Sequence, residues 1–367
     1  PSVQQNFRIL WRSENGTGPG ASCNIRMHRQ MHTIRSKRIH GNSEEHSMSG
    51  ENILEVENLT KHFKLSGKQI VHAVDGVSFA IPKGKTLGLV GESGCGKSTC
   101  ARTVIRMYDV TDGRILLEGK DITKLKQKEL KPLRKNMQMI FQDPYASLNA
   151  RMTVRDIIAE PLLAHGIVKK KNEADEIVYP MLERVGLTKE HASRYAHEFS
   201  GGQRQRVGIA RALVLQPELV ICDEPISALD VSIQAQVINL LKDYQEEKGI
   251  SYLFIAHDLS MVRYVSDEVG VMYLGQLVEL AEADEIYRHP LHPYTKGLLG
   301  SIPVANPKLA RKKVKSSIEG DIPSPINPPL GCRFHTRCPY AKPECSRVMP
   351  EMKDMGGGHK IACHLYN

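Results

Sequence analysis

Short runs of apolar residues alternate with helical segments along most of the chain. Residues from Ile53 to Val56 begin an alternating, strand-like pattern. Later runs at Thr86–Val90, Leu219–Cys222 and Tyr252–Ala256 are nearly all apolar. Strands that are buried on both faces have this composition, so the pattern predicts a parallel sheet covered by helices, which is the α/β class.

Two stretches depart from this alternation. Between Thr153 and Glu198 the apolar residues recur at helical spacing, which predicts a helical subdomain, at about residues 150–215, inside an α/β domain of residues 51–290. Prolines become frequent after Pro290. They predict a small, irregular C-terminal extension over residues 291–367.

The first 47 residues mix Gly, Ser, Asn, His and Arg with no sustained apolar period. This composition predicts a disordered N-terminal extension at residues 1–47. Met48 is a candidate start, which would make the preceding residues an upstream read-through that is not native. An Arg-rich targeting peptide is the alternative, and under either interpretation this segment is set aside from the prediction of the fold.

The bulk composition of the 367 residues is that of an ordinary globular protein, with 41% hydrophobic and 25% charged residues. No apolar run approaches the roughly 18 residues of a spanning helix, so membrane association would come through a partner or through surface charge. The net charge of +9 has part of its origin in residues 1–47 and in a basic run at Lys308–Lys315. Such runs favour solvated or membrane-facing charge, and we expect no nucleic-acid partner.

The sequence Gly-Glu-Ser-Gly-Cys-Gly-Lys-Ser-Thr at residues 91–99 has the pattern of a phosphate-binding P-loop. It follows an apolar strand and precedes a predicted helix from Thr99 to Met107. Glycines let backbone N–H groups converge on phosphate oxygens, Lys97 supplies a charge for the β- and γ-phosphates, and Ser98 is placed to bind Mg²⁺. The candidate nucleotide-binding residues of this loop are Gly91, Ser93, Gly94, Gly96, Lys97, Ser98 and Thr99.

A second buried strand ends in two adjacent carboxylates, Asp223 and Glu224. Residues at the carboxyl ends of such strands face the ligand crevice in open α/β sheets. We therefore expect Asp223 to hold Mg²⁺, and Glu224 to polarise the attacking water. Two carboxylates could instead merely solvate the strand end, but the upstream P-loop favours phosphoryl-transfer chemistry.

Between these two motifs, the sequence Phe-Ser-Gly-Gly-Gln-Arg-Gln-Arg at residues 199–206 resembles the signature of ABC ATPases. The resemblance implies a P-loop NTPase core of the ABC type that uses ATP and Mg²⁺. In that family the signature serves the nucleotide of the opposite subunit, so the site is completed only in a head-to-tail dimer. The residues implied for this contact are Ser200, Gly201, Gly202 and Gln203.

Four further positions match the family pattern. Gln142 resembles the Q-loop glutamine, which contacts the metal and the γ-phosphate, and Ser227 to Asp230 resembles the D-loop. His257 resembles the switch histidine, and Phe63 falls where the family places an aromatic ring against adenine, with core packing as its alternative. Because Glu224 and His257 are both present, the resemblance implies an ATP hydrolase with Glu224, His257 and Gln142 as catalytic residues.

The sequence from His289 to Leu299 looks like the C-terminal extension of oligopeptide and dipeptide importers. This resemblance implies a peripheral subunit on the cytoplasmic face of the bacterial inner membrane that powers peptide import. Its implied partners are a second, usually paralogous ATPase subunit, two integral membrane permease subunits and, indirectly, an extracytoplasmic substrate-binding protein. Nickel or sugar import by the same motor, and a soluble ABC ATPase acting on ribosomes or DNA, are the alternatives.

Four of the eight cysteines lie in the last 36 residues, at Cys332, Cys338, Cys345 and Cys363. Without a recognisable secretory signal, closely spaced thiols favour a metal site over disulfides. Their spacing resembles the iron–sulfur-type pattern of this subfamily's extension, which implies a [4Fe–4S] cluster. A Cys₄ zinc site and a segment without metal remain open as alternatives.

Overall fold

The computed structural model describes residues 52–67, 69–227, 229, 231–302 and 318–366. The predicted N-terminal segment 1–47 and the D-loop residue Asp230 lie outside these described residues. No described helix combines the length with the apolar character needed to span a bilayer.

The described residues form both strands and helices. The strands are β1 Asn52–Lys64, β2 Ile70–Pro82, β3 Thr86–Val90, β4 Asp112–Leu117, β5 Lys120–Asp121, β6 Met137–Ile140, β7 Leu219–Asp223, β8 Ser251–Ile255, β9 Glu268–Tyr273, β10 Gln276–Glu282, β11 Lys353–Asp354 and β12 Lys360–Ile361. The α-helices are α1 Lys97–Val104, α2 Gln127–Leu133, α3 Pro144–Ser147, α4 Val154–Ala164, α5 Asp175–Arg184, α6 Gly201–Leu213, α7 Val231–Lys248, α8 Leu259–Val265, α9 Ala283–Arg288 and α10 Pro293–Gly300. Short 3₁₀ helices lie at Lys171–Ala174, Lys189–Ser193, Ala196–Glu198, Pro343–Ser346 and His364–Tyr366.

The larger sheet has the strand order β11-β12-β10-β9-β3-β8-β7-β6. From β6 to β9 its neighbouring strands are parallel. Every residue of β3, β7 and β8 is buried, because helices cover both faces of a sheet of this kind. The prediction of a parallel sheet is therefore confirmed, and the three predicted strands agree with β3, β7 and β8 to within one residue at each end.

A second sheet, in the order β2-β1-β4-β5, is antiparallel. Its first strand contains the predicted Ile53–Val56 pattern, but the apolar runs gave no sign of a separate sheet. In β1 and β2 buried and exposed positions are mixed, which is typical of a sheet with one face towards the core. Such strands give weaker signals than strands that are buried on both faces.

Between β6 and β7 the regular elements are helices, in agreement with the predicted helical segment. The hydroxyl oxygen of Thr153 accepts a hydrogen bond from the backbone N–H of Asp156 at 3.2 Å and so caps α4. Helix α4 buries Val154, Ile157 and Ile158, the residues at helical spacing. The limits of this subdomain, and the division at residues 290 and 291, stay predictions.

The C-terminal extension is joined to the larger sheet through β12, which pairs with β10. The fully buried carboxylate of Glu279 strengthens this connection, since it accepts hydrogen bonds from the backbone N–H groups of Leu291 (2.6 Å) and His292 (3.1 Å). His359 lies 2.8 Å from the same carboxylate. Burial lowers the pKa of His292 to about 3, so its ring is neutral, and Nδ1 accepts from the N–H of Tyr294 at the start of α10.

Three aromatic side chains hold the extension against the core. Tyr273 on β9, Tyr294 on α10 and Phe334 have ring centroids 4.7 to 5.4 Å apart. The three rings are tilted or edge-on to one another, which is a favourable arrangement for aromatic pairs. Phe334 is only 2% exposed, so we infer that this cluster carries much of the binding energy between the extension and the sheet.

Replacing Phe334 with Ala is expected to lower the thermal unfolding temperature by several degrees. Removing a buried aromatic ring costs about 3–5 kcal/mol, and this cost falls on the contact between extension and core. Tyr340→Ala in the same extension is the control, since Tyr340 is 60% exposed and its removal should change stability by no more than about 0.5 kcal/mol. Equal melting temperatures for the two variants would contradict this account of the cluster.

Candidate active site

The P-loop lies between β3 and α1, and two of its glycines, Gly91 and Gly96, are required by close backbone contacts. At Gly91, with φ of 151°, an added Cβ would lie 2.2 Å from the carbonyl oxygen of Met272. At Gly96, with φ of 106°, it would lie 2.2 Å from the carbonyl oxygen of Ala73. Any other residue would push the loop away from β2 and β9, so the sequence pattern has a direct steric cause.

The side chain of Lys97 closes the loop on itself. It is 4% exposed, and its ammonium donates to the carbonyl oxygens of Gly91 at 2.8 Å and Glu92 at 3.0 Å. These two bonds place a positive charge beside the backbone N–H groups at the start of α1. A loop of N–H groups with a neighbouring ammonium has the chemistry of a triphosphate cradle.

Asp223, at the end of β7, is fully buried and connects the sheet to α1. The hydroxyl of Ser98 donates to Oδ1 at 2.6 Å, and Arg102 donates to Oδ2 at 3.2 Å. A hydroxyl and a carboxylate are oxygen ligands of the kind that Mg²⁺ prefers, and two adjacent ligands of an octahedral Mg²⁺ lie about 3 Å apart. The predicted pair is thus brought together at close to that separation, with Arg102 as a contact that the sequence did not predict.

Glu224 is held in the left-handed region, with φ of 49°, and its carboxylate meets two predicted partners. Gln142 donates from Nε2 to one oxygen at 2.6 Å, and Nε2 of His257 lies 2.5 Å from the other. The backbone N–H of Glu224 donates to the carbonyl of Ile255 at 3.0 Å, which fixes the turn. The structure therefore brings together the three residues predicted to be catalytic.

These contacts follow from the strand order. Gln142, Glu224 and His257 each follow the carboxyl end of a strand, namely β6, β7 and β8, and these strands are neighbours in the parallel sheet. Parallel neighbours end at the same edge, where ligand crevices form in open α/β sheets. Side chains that are far apart in sequence, such as Gln142 and Glu224 at a separation of 82 residues, are thereby placed in one site.

Ser200 begins α6 as its N-cap and is not joined to this cluster. Its hydroxyl accepts from the N–H of Gln203 at 3.3 Å, and the side chain of Gln203 accepts from the N–H of Ser200 at 3.1 Å. Within the described ranges, no hydrogen bond or ion pair connects Ser200–Gln203 to the P-loop. Helix α6 contacts β6, which is three strands from β3 in the sheet order, a separation of about 14 Å at the usual strand spacing.

Phe63 lies on β1 and is partly exposed. Its ring stands edge-on to Tyr108 at 5.3 Å, and the ammonium of Lys61 lies 4.8 Å from its centroid. Partial exposure leaves part of the ring accessible, as stacking on a base would require. Its predicted contact with adenine and the alternative of core packing both stay open.

All four cysteines of the extension are free thiols. The sulfur of Cys345 accepts a hydrogen bond from the backbone N–H of Lys342 at 3.4 Å. Burial raises the pKa of Cys332, Cys338 and Cys363, against the smaller effect of the backbone groups of Phe334, Tyr340 and Leu365, which act to lower it. Burial raises the pKa of Cys332 to about 11, with a smaller contribution from the three other thiols. The cysteines are therefore close enough to interact electrostatically.

Two contacts to the P-loop were missed by sequence reasoning. The hydroxyl of Tyr294 accepts from the backbone N–H of Glu92 at 2.8 Å, and Arg337 forms a bidentate ion pair with the Glu92 carboxylate. Tyr294 belongs to the sequence stretch that resembles the importer extension, but nothing in that stretch predicts its contact with Glu92. No sequence pattern marks Arg337. Contacts between residues more than 200 positions apart cannot be found from local spacing.

Comparison with known protein families is consistent with this geometry. Residues 74–227 match the ABC transporter family, and residues 278–345 match the oligopeptide/dipeptide transporter C-terminal region. The first match covers the P-loop, the signature and the carboxylate pair. The second begins in β10 and extends to Cys345.

Individual relatives are similar over most of their length. The putative oligopeptide transport ATP-binding protein YkfD of Bacillus subtilis is 55% identical over 86% of this chain and 95% of its own. The oligopeptide transport ATP-binding protein OppF of Escherichia coli is 51% identical over 85% of this chain and 95% of its own.

Among solved structures, the ATP-binding cassette MJ0796, a dimer in a post-hydrolysis state bound to ADP and Pi, is similar with a TM-score of 0.59 and 26% identity. The match covers 63% of this chain and 98% of that one. The predicted α/β fold with a P-loop core of the ABC type is thus confirmed. The chain belongs to the ATP-binding proteins of the ABC transporter family, in the oligopeptide/dipeptide transporter group.

Proposed function

We propose that this chain is the ATP-hydrolysing subunit that powers import of oligopeptides or dipeptides across the bacterial cytoplasmic membrane. The observation that carries the proposal is the meeting of Gln142, Glu224 and His257 beside the Ser98–Asp223 pair. The transporter-type C-terminal region and the names of the relatives support peptide transport. They also weigh against a soluble ATPase acting on ribosomes or DNA.

Each group has a defined part in ATP hydrolysis. Lys97 and the P-loop N–H groups bind the phosphates, and Ser98 and Asp223, with Gln142 nearby, would hold Mg²⁺. When bound, Mg²⁺ supplies positive charge to the phosphate oxygens. The carboxylate of Glu224 accepts a hydrogen bond from the attacking water and takes up its proton while the water oxygen bonds to the γ-phosphorus. The bond from that phosphorus to the bridging oxygen then breaks, which yields ADP and phosphate.

His257 and Gln142 fix the orientation of Glu224. Both approach its carboxylate within 2.6 Å, so its two oxygens have different partners. Rotation of either partner towards a γ-phosphate would free one carboxylate oxygen for water. Gln142 and His257 would therefore make the position of the Glu224 carboxylate depend on bound nucleotide. Catalysis of phosphoryl transfer relies on such exact positioning of groups.

The signature at Ser200–Gln203 would serve the nucleotide of a second ATPase subunit. The first N–H groups of an α-helix have no partner within the helix, and the dipole there favours anions. Because Ser200 has no described bond to its own P-loop, the N-terminus of α6 is available to a nucleotide that another subunit holds. The dimeric state of the similar cassette supports this pairing, and Asp230 would lie at the same seam.

The remaining partners follow from the transport role. Two integral membrane permease subunits would anchor this chain to the cytoplasmic face of the membrane, and an extracytoplasmic binding protein would deliver the substrate to them. Nickel or sugar import by the same motor stays the alternative for the cargo. Adenine would stack on Phe63.

We further propose that Cys332, Cys338, Cys345 and Cys363 hold a [4Fe–4S] cluster. Four thiols suit this group, because four Cys thiolates are its usual ligands, and the N–H···S bond from Lys342 to Cys345 is of the kind that tunes such clusters. A tetrahedral zinc site would place its sulfurs about 3.8 Å apart. Among the described residues, no three of these cysteine sulfurs lie within 4.8 Å of one another. Such a spacing is wider than zinc requires and favours a cluster, in which each thiolate would bind a different iron. The role of the cluster would be to cross-link the extension.

Replacing Glu224 with Gln is expected to lower kcat for ATP hydrolysis by about 10²- to 10⁴-fold, the contribution of a general base. ATP binding should persist, because Lys97 and the P-loop are unchanged. In cells that carry this chain, the same variant should abolish uptake of a labelled oligopeptide. Steady-state phosphate release, nucleotide binding and uptake are measured side by side.

Glu218→Gln is the matched control, since Glu218 is an exposed carboxylate just before the opposite end of the same strand. It should leave turnover and uptake unchanged. Normal turnover by Glu224→Gln would refute the role of this base. Normal peptide uptake together with lost turnover would instead refute the transport assignment.

Protein purified without oxygen is expected to contain about 4 iron atoms per chain, as a [4Fe–4S] cluster requires. Cys363→Ser should lower the iron content and the brown absorbance together, because one of four thiolates is lost. Cys222→Ser is the control, since this buried thiol lies on β7 away from the extension. A colourless protein rich in zinc would overturn the cluster in favour of zinc.

A further inference from the structure

The segment between two of the extension's cysteines, residues 332–338, makes direct contact with the P-loop. Nη1 of Arg337 donates to Oε2 of Glu92 at 2.7 Å, and Nη2 donates to Oε1 at 3.1 Å. The Arg337 side chain is 5% exposed. A bidentate, charge-assisted pair of this kind is geometrically specific and stronger than an exposed ion pair.

Glu92 is also held at its backbone. Its N–H donates to the hydroxyl of Tyr294 at 2.8 Å, and its carbonyl accepts from the ammonium of Lys97 at 3.0 Å. One P-loop residue thus joins Arg337 and Tyr294 of the extension to the lysine that faces the phosphates. A shift of Glu92 would move the carbonyl that positions Lys97.

A second arginine of the same segment reaches the backbone behind the loop. Arg333 donates to the carbonyl of Leu274 at 2.5 Å and is paired with Asp75. The next residue, Gly275, donates its N–H to the carbonyl of Cys95 in the P-loop at 2.8 Å and accepts from the N–H of Asp75. The segment therefore reaches the P-loop in two ways. Arg337 binds the side chain of Glu92 directly, and Arg333 binds the backbone next to Gly275, which in turn donates to Cys95.

Asp75 also lies near His62 and His72, in the group of three ligand atoms that could hold a metal ion. The guanidinium of Arg333 already occupies this carboxylate. A bound cation would have to compete with the positive charge of Arg333. We therefore interpret Asp75 and its two neighbouring histidines as part of the contact between Arg333 and β2, and not as a metal site.

We propose that Arg337 is a positioning residue for the nucleotide site, and that the segment 332–338 makes the ATP affinity of the P-loop depend on the four-cysteine site. Both ends of the segment are cysteines, and Cys332 is tied to Cys345 by a backbone hydrogen bond of 2.8 Å. Loss of the group that the thiols hold would remove one restraint from each end of the segment. The Arg337–Glu92 pair then loses its fixed geometry. This inference rests on the proposed ATPase function and, for the dependence on the cysteines, on the proposed cluster.

The test compares Arg337→Gln with Arg337→Lys in the full chain, using a fluorescent ATP analogue and ATP turnover. Arg337→Gln should raise the Kd for the nucleotide and the KM about 10-fold, the size expected for losing one charge-assisted pair, and kcat should change by less than about 2-fold. Lys, which restores the charge without the bidentate geometry, should recover part of the affinity. Arg347→Gln, at an exposed arginine of the same extension, should match the wild type.

An unchanged Kd for Arg337→Gln would overturn the proposal. If that variant does not fold, Glu92→Gln weakens the same pair from the other side and should raise Kd in the same direction. Wild-type protein that binds nucleotide without hydrolysing it would refute the ATPase function instead, and the comparison of Kd values would still stand.

The dependence on the cysteine site is tested with a double-mutant cycle. Cys363→Ser, with its iron content measured, should raise Kd in the wild-type background by about the same factor as Arg337→Gln. The double variant should show no further rise, because both changes act through one contact. Fully additive effects would contradict the proposed route through Arg337.

Discussion

The buried carboxylate of Asp223 is the constraint on which the rest of the site depends. An ionised group without exposure must be paired, and here its partners are Ser98 and Arg102 on the helix that follows the P-loop. This requirement fixes α1 against the end of β7. It also sets the position of the next residue, Glu224, whose left-handed backbone turns its side chain towards Gln142 and His257. A single electrostatic requirement thus positions both the proposed metal ligands and the proposed base.

Much of this could be predicted from the sequence. The strands β3, β7 and β8 are nearly all apolar, as parallel strands that are buried on both faces usually are. The P-loop pattern has a steric cause in Gly91 and Gly96, and the carboxylate pair stands at a strand end. The antiparallel sheet was not predicted, because its strands alternate less regularly. The link from Arg337 to Glu92 was not predicted either, because it joins two residues that are 245 positions apart and depends on how the extension folds back.

The C-terminal extension is more closely integrated than its proline-rich composition suggested. Glu279 gathers donors from both ends of the extension, β12 extends the sheet, and Tyr294 and Arg337 both contact Glu92. Through these contacts the extension helps to hold the P-loop in position. In this family member, a segment that marks the transporter group therefore also bears on the catalytic core.

The central claim is that this chain holds one ATP with Lys97 and completes the site of another with Ser200. A structure of the assembled transporter with a slowly hydrolysed ATP analogue and Mg²⁺ tests it most directly. The account predicts that Ser200 and the N–H groups of Gly201 and Gly202 lie within hydrogen-bond distance of a γ-phosphate bound by the P-loop of the second ATPase subunit. A closed pair of subunits in which Ser200 faces away from every bound nucleotide would contradict it.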